Sequence, residues 1–181
     1  MKPWLVWTTG IALVGAAWAV LLVTPDDDAG TEPFTVSAVV GERAESRGFE
    51  AIVTDARRGA RAEAGGWAAD GTWVVVDLEI AAVGSENGAV LRTAQLVVDG
   101  VTYRASERPE SLLDSDLAVG LARSGSLAFE LPADAVSAPA TLQLALADDT
   151  RLDDVVELPV DLPTLPSAPT VELLPNDWAT S

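Results

Sequence analysis

The chain has 181 residues with no His, no Cys and a single Lys, and its 28 acidic against 11 basic residues give a net charge of −17. That length fits one ordinary domain plus appendages, and that charge disfavours nucleic acid and anionic headgroups as partners. The missing side chains remove His-relayed nucleophiles, thiolates, zinc and iron–sulfur sites, and any lysine chemistry beyond Lys2.

Paired carboxylates are the chemistry that remains, but neither Asp-Thr-Gly nor Asp-Ser-Gly occurs. A carboxylate-dependent hydrolase is therefore the minor alternative to a module without catalysis. No catalytic, cofactor-binding or metal-binding residue is assigned, and no cofactor is expected. Lacking Cys, the fold has no disulfide framework and no lipobox, so it must hold by its core. Arg outnumbers Lys ten to one, a bias of GC-rich coding that points to a high-GC bacterium.

From Pro3 to Pro25 no charged residue occurs. About 20 helical residues at about 1.5 Å rise span about 30 Å, the thickness of a hydrocarbon core. Residues 1–25 therefore predict a transmembrane signal-anchor helix. Trp4 and Trp7 suit one interface, and Pro25 with Asp26, Asp27 and Asp28 stops the helix at the other. Keeping Lys2 inside places everything after Asp28 outside the cell. Ala17-Trp18-Ala19 has the small-x-small form of a signal-peptidase site, so cleavage after Ala19 would give a secreted form. Apolar residues continue through Val23, which favours the uncleaved anchor.

Residues 26–32 read as a polar spacer. Residues 33–162 carry short apolar runs of period two between turn residues, which predicts an all-β domain. In Trp73 to Ala81, Val74, Val76, Leu78 and Ile80 share one face, leaving Trp73, Val75, Asp77 and Glu79 on a mostly wet one. The same alternation marks Leu127-Phe129-Leu131, Leu142-Leu144-Leu146 and Val156-Leu158-Val160, and Pro159 places the last of these at an edge. Asp99-Gly100 between two β runs predicts a two-residue type I′ hairpin. With Phe34 to Val40 and Phe49 to Thr54, about seven or eight strands form a two-sheet sandwich. Brief helix is expected at Arg57 to Ala64 or Glu110 to Asp114. Residues 163–181 form a Pro-rich tail, either disordered or lying along the sandwich.

Three blocks, Gly48-Phe49-Glu50-Ala51-Ile52-Val53, Gly71-Thr72-Trp73-Val74-Val75-Val76-Asp77-Leu78-Glu79-Ile80 and Gly125-Ser126-Leu127-Ala128-Phe129-Glu130-Leu131-Pro132, carry a family resemblance. In order and spacing this chain resembles the telokin-like, immunoglobulin-like extracellular domains of membrane-anchored bacterial, chiefly actinobacterial, proteins. The resemblance spans about Thr35 to Val160. It implies an immunoglobulin-like two-sheet sandwich outside the cell and supplies no catalytic residues.

Three groups are candidates for binding. Asp148-Asp149 with Asp153-Asp154, and Asp114 with Asp116, offer oxygen ligands for Ca²⁺, although their spacing matches no EF-hand and solvated turn aspartates are the plainer reading. Arg43, Arg47, Arg57, Arg58 and Arg61 could meet an anionic surface, with internal charge balance favoured. Trp67 and Trp73 around Asp70-Gly71 could stack a sugar or peptide, against half-buried packing. The expectation is thus a single-pass module in the cell membrane, meeting lipid through its N-terminal helix and a protein or cell-envelope partner through its domain.

Overall fold

The computed structural model describes residues 13–16, 18, 33–84, 89–151 and 153–179. The chain divides into two units, Met1–Glu32 and Pro33–Ser181. In the first, Leu13, Val14, Gly15, Ala16 and Trp18 are helical. The predicted anchor otherwise lies outside the described residues, among which no helix is long and apolar enough to cross a membrane.

The second unit is all-β. Its strands are β1 (Phe34–Ser37), β2 (Arg43–Glu45), β3 (Phe49–Ala64), β4 (Trp67–Ala82), β5 (Ala89–Val90), β6 (Thr93–Val98) and β7 (Val101–Arg104). They continue as β8 (Asp116–Leu117), β9 (Arg123–Leu131), β10 (Ala140–Ala145), β11 (Asp154–Val160), β12 (Ser167–Ala168), β13 (Val171–Glu172) and β14 (Asp177–Trp178). One sheet runs β1-β11-β10-β6-β7; the other runs β12-β3-β4-β9-β14, with β2 and β13 also on β3. β5 and β8 form a small separate ladder.

The two sheets face each other across one core. The period-two face of β4, Val74, Val76, Leu78 and Ile80, meets Leu127 and Phe129 of β9 together with Leu96, Leu142, Leu144, Val156 and Leu158 of the opposite sheet. Each such side chain contributes roughly 1.5–3 kcal/mol when fully covered. Asp99 and Gly100 have φ of 48° and 79°, the two positive angles of a type I′ turn, and they join β6 to β7 as predicted.

The expectation that Pro159 puts its strand at an edge is corrected. β11 lies between β1 and β10, but β1 pairs only with Asp154 to Glu157, so Pro159 follows the end of that ladder, where no donor is needed.

Two further expectations are corrected. Residues 57–64, given as brief helix, continue β3, because they pair with β4 as far as Ala64↔Trp67; residues 110–114 are not helical either. The outer face of β4 is not wet: Trp73 and Val75 are fully buried and Asp77 is 5% exposed. The cover comes from residues 163–179, which belong to the same compact unit as the sandwich.

Candidate functional site

Trp67 and Trp73 lie six residues apart on β4 and both belong to one cluster on the outside of the sandwich. An extended strand would separate them by about 20 Å, yet their ring centroids are 5.4 Å apart and perpendicular, at 89°. A bulge in β4 between them, where three steps from Asp70 to Trp73 oppose two from Gly59 to Arg61, brings the rings together. A Cβ on Gly71 would stand 3.0 Å from both Glu130 Oε1 and Trp73 Nε1, so glycine is the residue that fits. On β3 the bulge is met by a register shift between Gly59 and Arg61. The Arg108 guanidinium stacks over both rings, 5.2 Å from Trp73 and 5.9 Å from Trp67, and pairs with Glu130.

The bulge borders a second, smaller core on the outside of the sandwich: Ala62, Trp73, Val75 and Ala128, closed by Val171 and Leu173. These last two belong to a strap, residues 166–179, that crosses the outer face. The strap starts on the β3 edge, where Ser167 and Ala168 run parallel to Arg58 and Gly59, and Val171 and Glu172 to Ala62 and Glu63. It finishes on the opposite edge, where Asp177 and Trp178 run antiparallel to Ser124 and Arg123 of β9.

Two glycines seat it. A Cβ on Gly59 would lie 2.9 Å from Val171 Cγ1 and 3.0 Å from the Ala168 carbonyl, and one on Gly125 would lie 3.2 Å from Asn176 Cα. A side-chain-free position within a strand admits a second backbone at close range.

Polar groups latch the crossing. Buried Asp77 accepts hydrogen bonds from Ser126 Oγ and Arg57 Nη1, both at 2.5 Å. Ser126 Oγ in turn accepts the Leu174 N–H at 2.8 Å, and Arg57 Nη2 donates to the Glu172 carbonyl at 2.5 Å. Burial weakens the Arg57 charge, but hydrogen bonding and attraction from Asp77, then Asp55, outweigh it and hold the Arg57 pKa above its ordinary value. Beyond the latch, the Asn176 amide donates to the Ser111 carbonyl at 2.9 Å and to Ser115 Oγ at 2.7 Å, and accepts from Arg123 Nη1 at 3.0 Å. Arg123 also stacks on Trp178, 4.1 Å from its ring centroid.

The arrangement holds an extended chain: ladder bonds at both edges, a pocket for two alternate apolar side chains, and clamps on backbone groups between them. The fit is incomplete. Among the described residues three buried side-chain nitrogens lack a hydrogen-bond partner, Arg58 Nε, Trp73 Nε1 and Arg123 Nε, and Arg58 and Arg123 are the ladder partners of the strap's Ser167 and Trp178. A cavity of about 570 Å³ remains beside it, lined by Asp55, Arg57, Asp77 and the strap itself.

The candidates from the sequence fall as follows. Trp73 is packing rather than a platform, since the strap, Trp67 and Arg108 cover it. The five arginines engage local acceptors: Arg43 with Glu50, Arg47 with Asp154, Arg57 with Asp55 and Asp77, and Arg61 with Glu63 and Asp70. Arg58 reaches the Pro163 carbonyl at 3.4 Å. The acidic clusters do not converge. Asp149 pairs with Arg151, Asp154 with Arg47, and Asp114 with Arg92, and among the described residues no three acidic groups are placed to hold a metal ion.

The strap groove was missed from the sequence. Its traces there are Gly59 and Gly125 inside strand patterns and the apolar pair Val171 and Leu173 within a Pro-rich run.

No family profile and no curated protein matches the sequence. Among solved structures the sandwich is similar to an uncharacterized β-sandwich protein from Clostridium difficile, at 12% identity and a TM-score of 0.48, over 71% of this chain and 95% of that one.

Proposed function

We propose that the chain is a membrane-anchored, extracytoplasmic binding or accessory module without catalysis, its sandwich immunoglobulin-like and its partner a protein or envelope component. The observation that carries this reading is the uncharged run from Pro3 to Pro25, ended by three aspartates, just ahead of a domain whose first strand starts at Phe34. The described side chains of that run, Leu13, Val14 and Trp18, are about two-thirds exposed, as suits a helix whose surroundings are lipid.

The domain supports the same reading from its own side. The end at which Phe34 starts also carries Val83, Val119 and Leu121 as exposed apolar side chains, brought together by the Phe34↔Asp154 pairing, the Arg47–Asp154 ion pair, the Val83 N–H to Gly48 carbonyl bond and the Ala82↔Val119 bridge. A parallel first strand on β11, and an order placing β4 between β3 and β9, are in keeping with the immunoglobulin-like class.

The test uses the absence of native Cys. An Ala133→Cys full-length chain should be labelled in intact cells by a membrane-impermeant maleimide and recovered from the membrane fraction at its unprocessed mass. Labelling only after lysis overturns the reading. The second reading, release after Ala19, is favoured by Ala17-Trp18-Ala19 and would give a soluble product beginning at Val20.

A further inference from the structure

We propose that the end of the domain at which Phe34 starts rests on the outer surface of the bilayer, so that lipid is the partner of the apolar side chains exposed there. The inference rests on the anchored reading and extends it from the N-terminal run to the domain itself. Phe34, Val83, Val119 and Leu121 are the exposed apolar side chains of that end. Two of them stand at a turn tip, a place that polar residues ordinarily take. Gly120, with φ of 72°, supplies the positive angle of a type II turn, and the Ala118↔Leu121 bridge closes it, so Val119 and Leu121 project together.

The rim suits the headgroup level. Arg47 lies over the Phe34 ring, 4.8 Å from its centroid. Arg123 lies over Trp178 at 4.1 Å, and the adjoining Ala179 N–H donates to the Ala122 carbonyl at 2.9 Å, next to Leu121. Aromatic rings and arginines gather at membrane interfaces, where the ring meets apolar surroundings and the guanidinium keeps its polar ones. An aliphatic centre with an arginine–aromatic rim thus follows the order of acyl chain and headgroup in a leaflet. The net charge of −17 opposes an anionic surface, but at this end the buried carboxylate of Asp154 is neutralised by Arg47. The tether decides the occupant. Phe34 follows Pro25, the last residue of the uncharged run, by nine residues, which reach at most about 30 Å when fully extended. A surface held that close to lipid meets it at a high effective concentration, so a few side chains suffice to populate the contact.

The experiment places the full-length chain in phosphatidylcholine vesicles and exploits the absence of native Cys. A fluorophore is attached at Leu121→Cys or, for reference, at Val101→Cys. Val101 is exposed at the opposite end: β11 runs from Asp154, beside Phe34, to Val160, which aligns through Ala140 and Val98 with Val101. Vesicle flotation reports the anchor, and quenching by nitroxide-labelled lipid reports the contact, so the two readings fail separately. The expected result is quenching at position 121 several-fold above that at position 101, falling to the lower level when Val119→Asp is added. Phe34→Ser, on the other side of the same end, gives the same loss and guards against a folding defect in the first variant. Equal quenching at the two positions in a chain that floats overturns the contact and leaves the anchor standing. Quenching at position 121 that appears only when native membrane extract replaces pure lipid assigns the surface to a membrane protein and overturns the proposal as well. A chain that does not float overturns the anchor, and this inference with it.

Discussion

Replacing Gly59 with Ala tests whether the strap is seated on the strand itself. A Cβ there would stand 2.9 Å and 3.1 Å from the two γ-methyls of Val171 and 3.0 Å from the Ala168 carbonyl oxygen. One of these atoms is backbone, so a rotamer change cannot relieve the crowding and the strap has to shift. Overpacking of this kind costs about 1–3 kcal/mol, and the narrower unfolded ensemble of Ala returns about 0.4–1 kcal/mol. The net loss is about 1–2 kcal/mol, or roughly 2–8 °C in Tm for a domain near this size. Circular dichroism melts give the shift, and hydrogen exchange locates it. The Leu173 amide, which donates to the Glu63 carbonyl at 2.8 Å, and the Arg58 amide, which donates to Pro166 at 2.9 Å, should lose protection while β10 keeps its own. Gly48→Ala is the comparator: its Cβ would crowd only the Leu146 side chain, with Cδ1 at 2.8 Å, and that flexible tip can move aside. A Gly59→Ala protein that melts no lower than wild type, with both amides still protected, refutes the reasoning.

Three further outcomes are expected. Asp154 is held below the ordinary aspartate range, first by hydrogen bonding from the Arg47 side chain and against the effect of burial, with the Arg47 backbone N–H and charge adding to the lowering. A depressed folded pKa gives stability that is complete above the unfolded value of about 3.9 and lost as pH falls through the folded one. Urea midpoints should therefore hold down to about pH 5 and decline below about pH 4, less steeply in Arg47→Gln; equal acid slopes in the two proteins would count against the pair. Thermal melts with calcium and with chelator should coincide, because Asp114, Asp149 and Asp154 already pair with arginines; a calcium-dependent rise in Tm would reverse that conclusion. Trp73→Ala should cost about 3–5 kcal/mol by urea unfolding, as befits a fully buried indole, and a loss near that of an exposed position would show that the outer core does not form.

The sheets were legible where one face meets the main core. Val74, Val76, Leu78 and Ile80 alternate strictly, and Asp99-Gly100 announces its turn through the φ angles those residues tolerate. Outside that core, local pattern misled. Trp73, Val75 and Asp77 read as a solvent face because Asp77 interrupts the apolar series, whereas the residues that cover them lie about a hundred positions later. A buried carboxylate looks like an exposed one until its partners, Ser126 and Arg57, are known. Residues 57–64 lack clean alternation because Gly59 seats the strap and the ladder shifts register between Gly59 and Arg61, so their strand character is set by the hairpin they complete. The prolines of residues 163–175 do not exclude all helix, since Leu162–Thr164 form one 3-10 turn with Pro163 at its start, but beyond it they leave only short extended pairings, which is what β12 and β13 are.

Because β12 and β13 run along β3 while β14 runs along β9, one short segment shields both flanks of the larger sheet, and it is the last part of the domain to be synthesised. β11 and the strap are separated by only a few residues, so they emerge nearly together at about 5–20 residues per second, and until the strap docks both margins keep open hydrogen-bonding groups. Any chaperone that guards this chain has its moment then, and a stall or truncation after β11 would leave a domain that folds yet sticks to its neighbours.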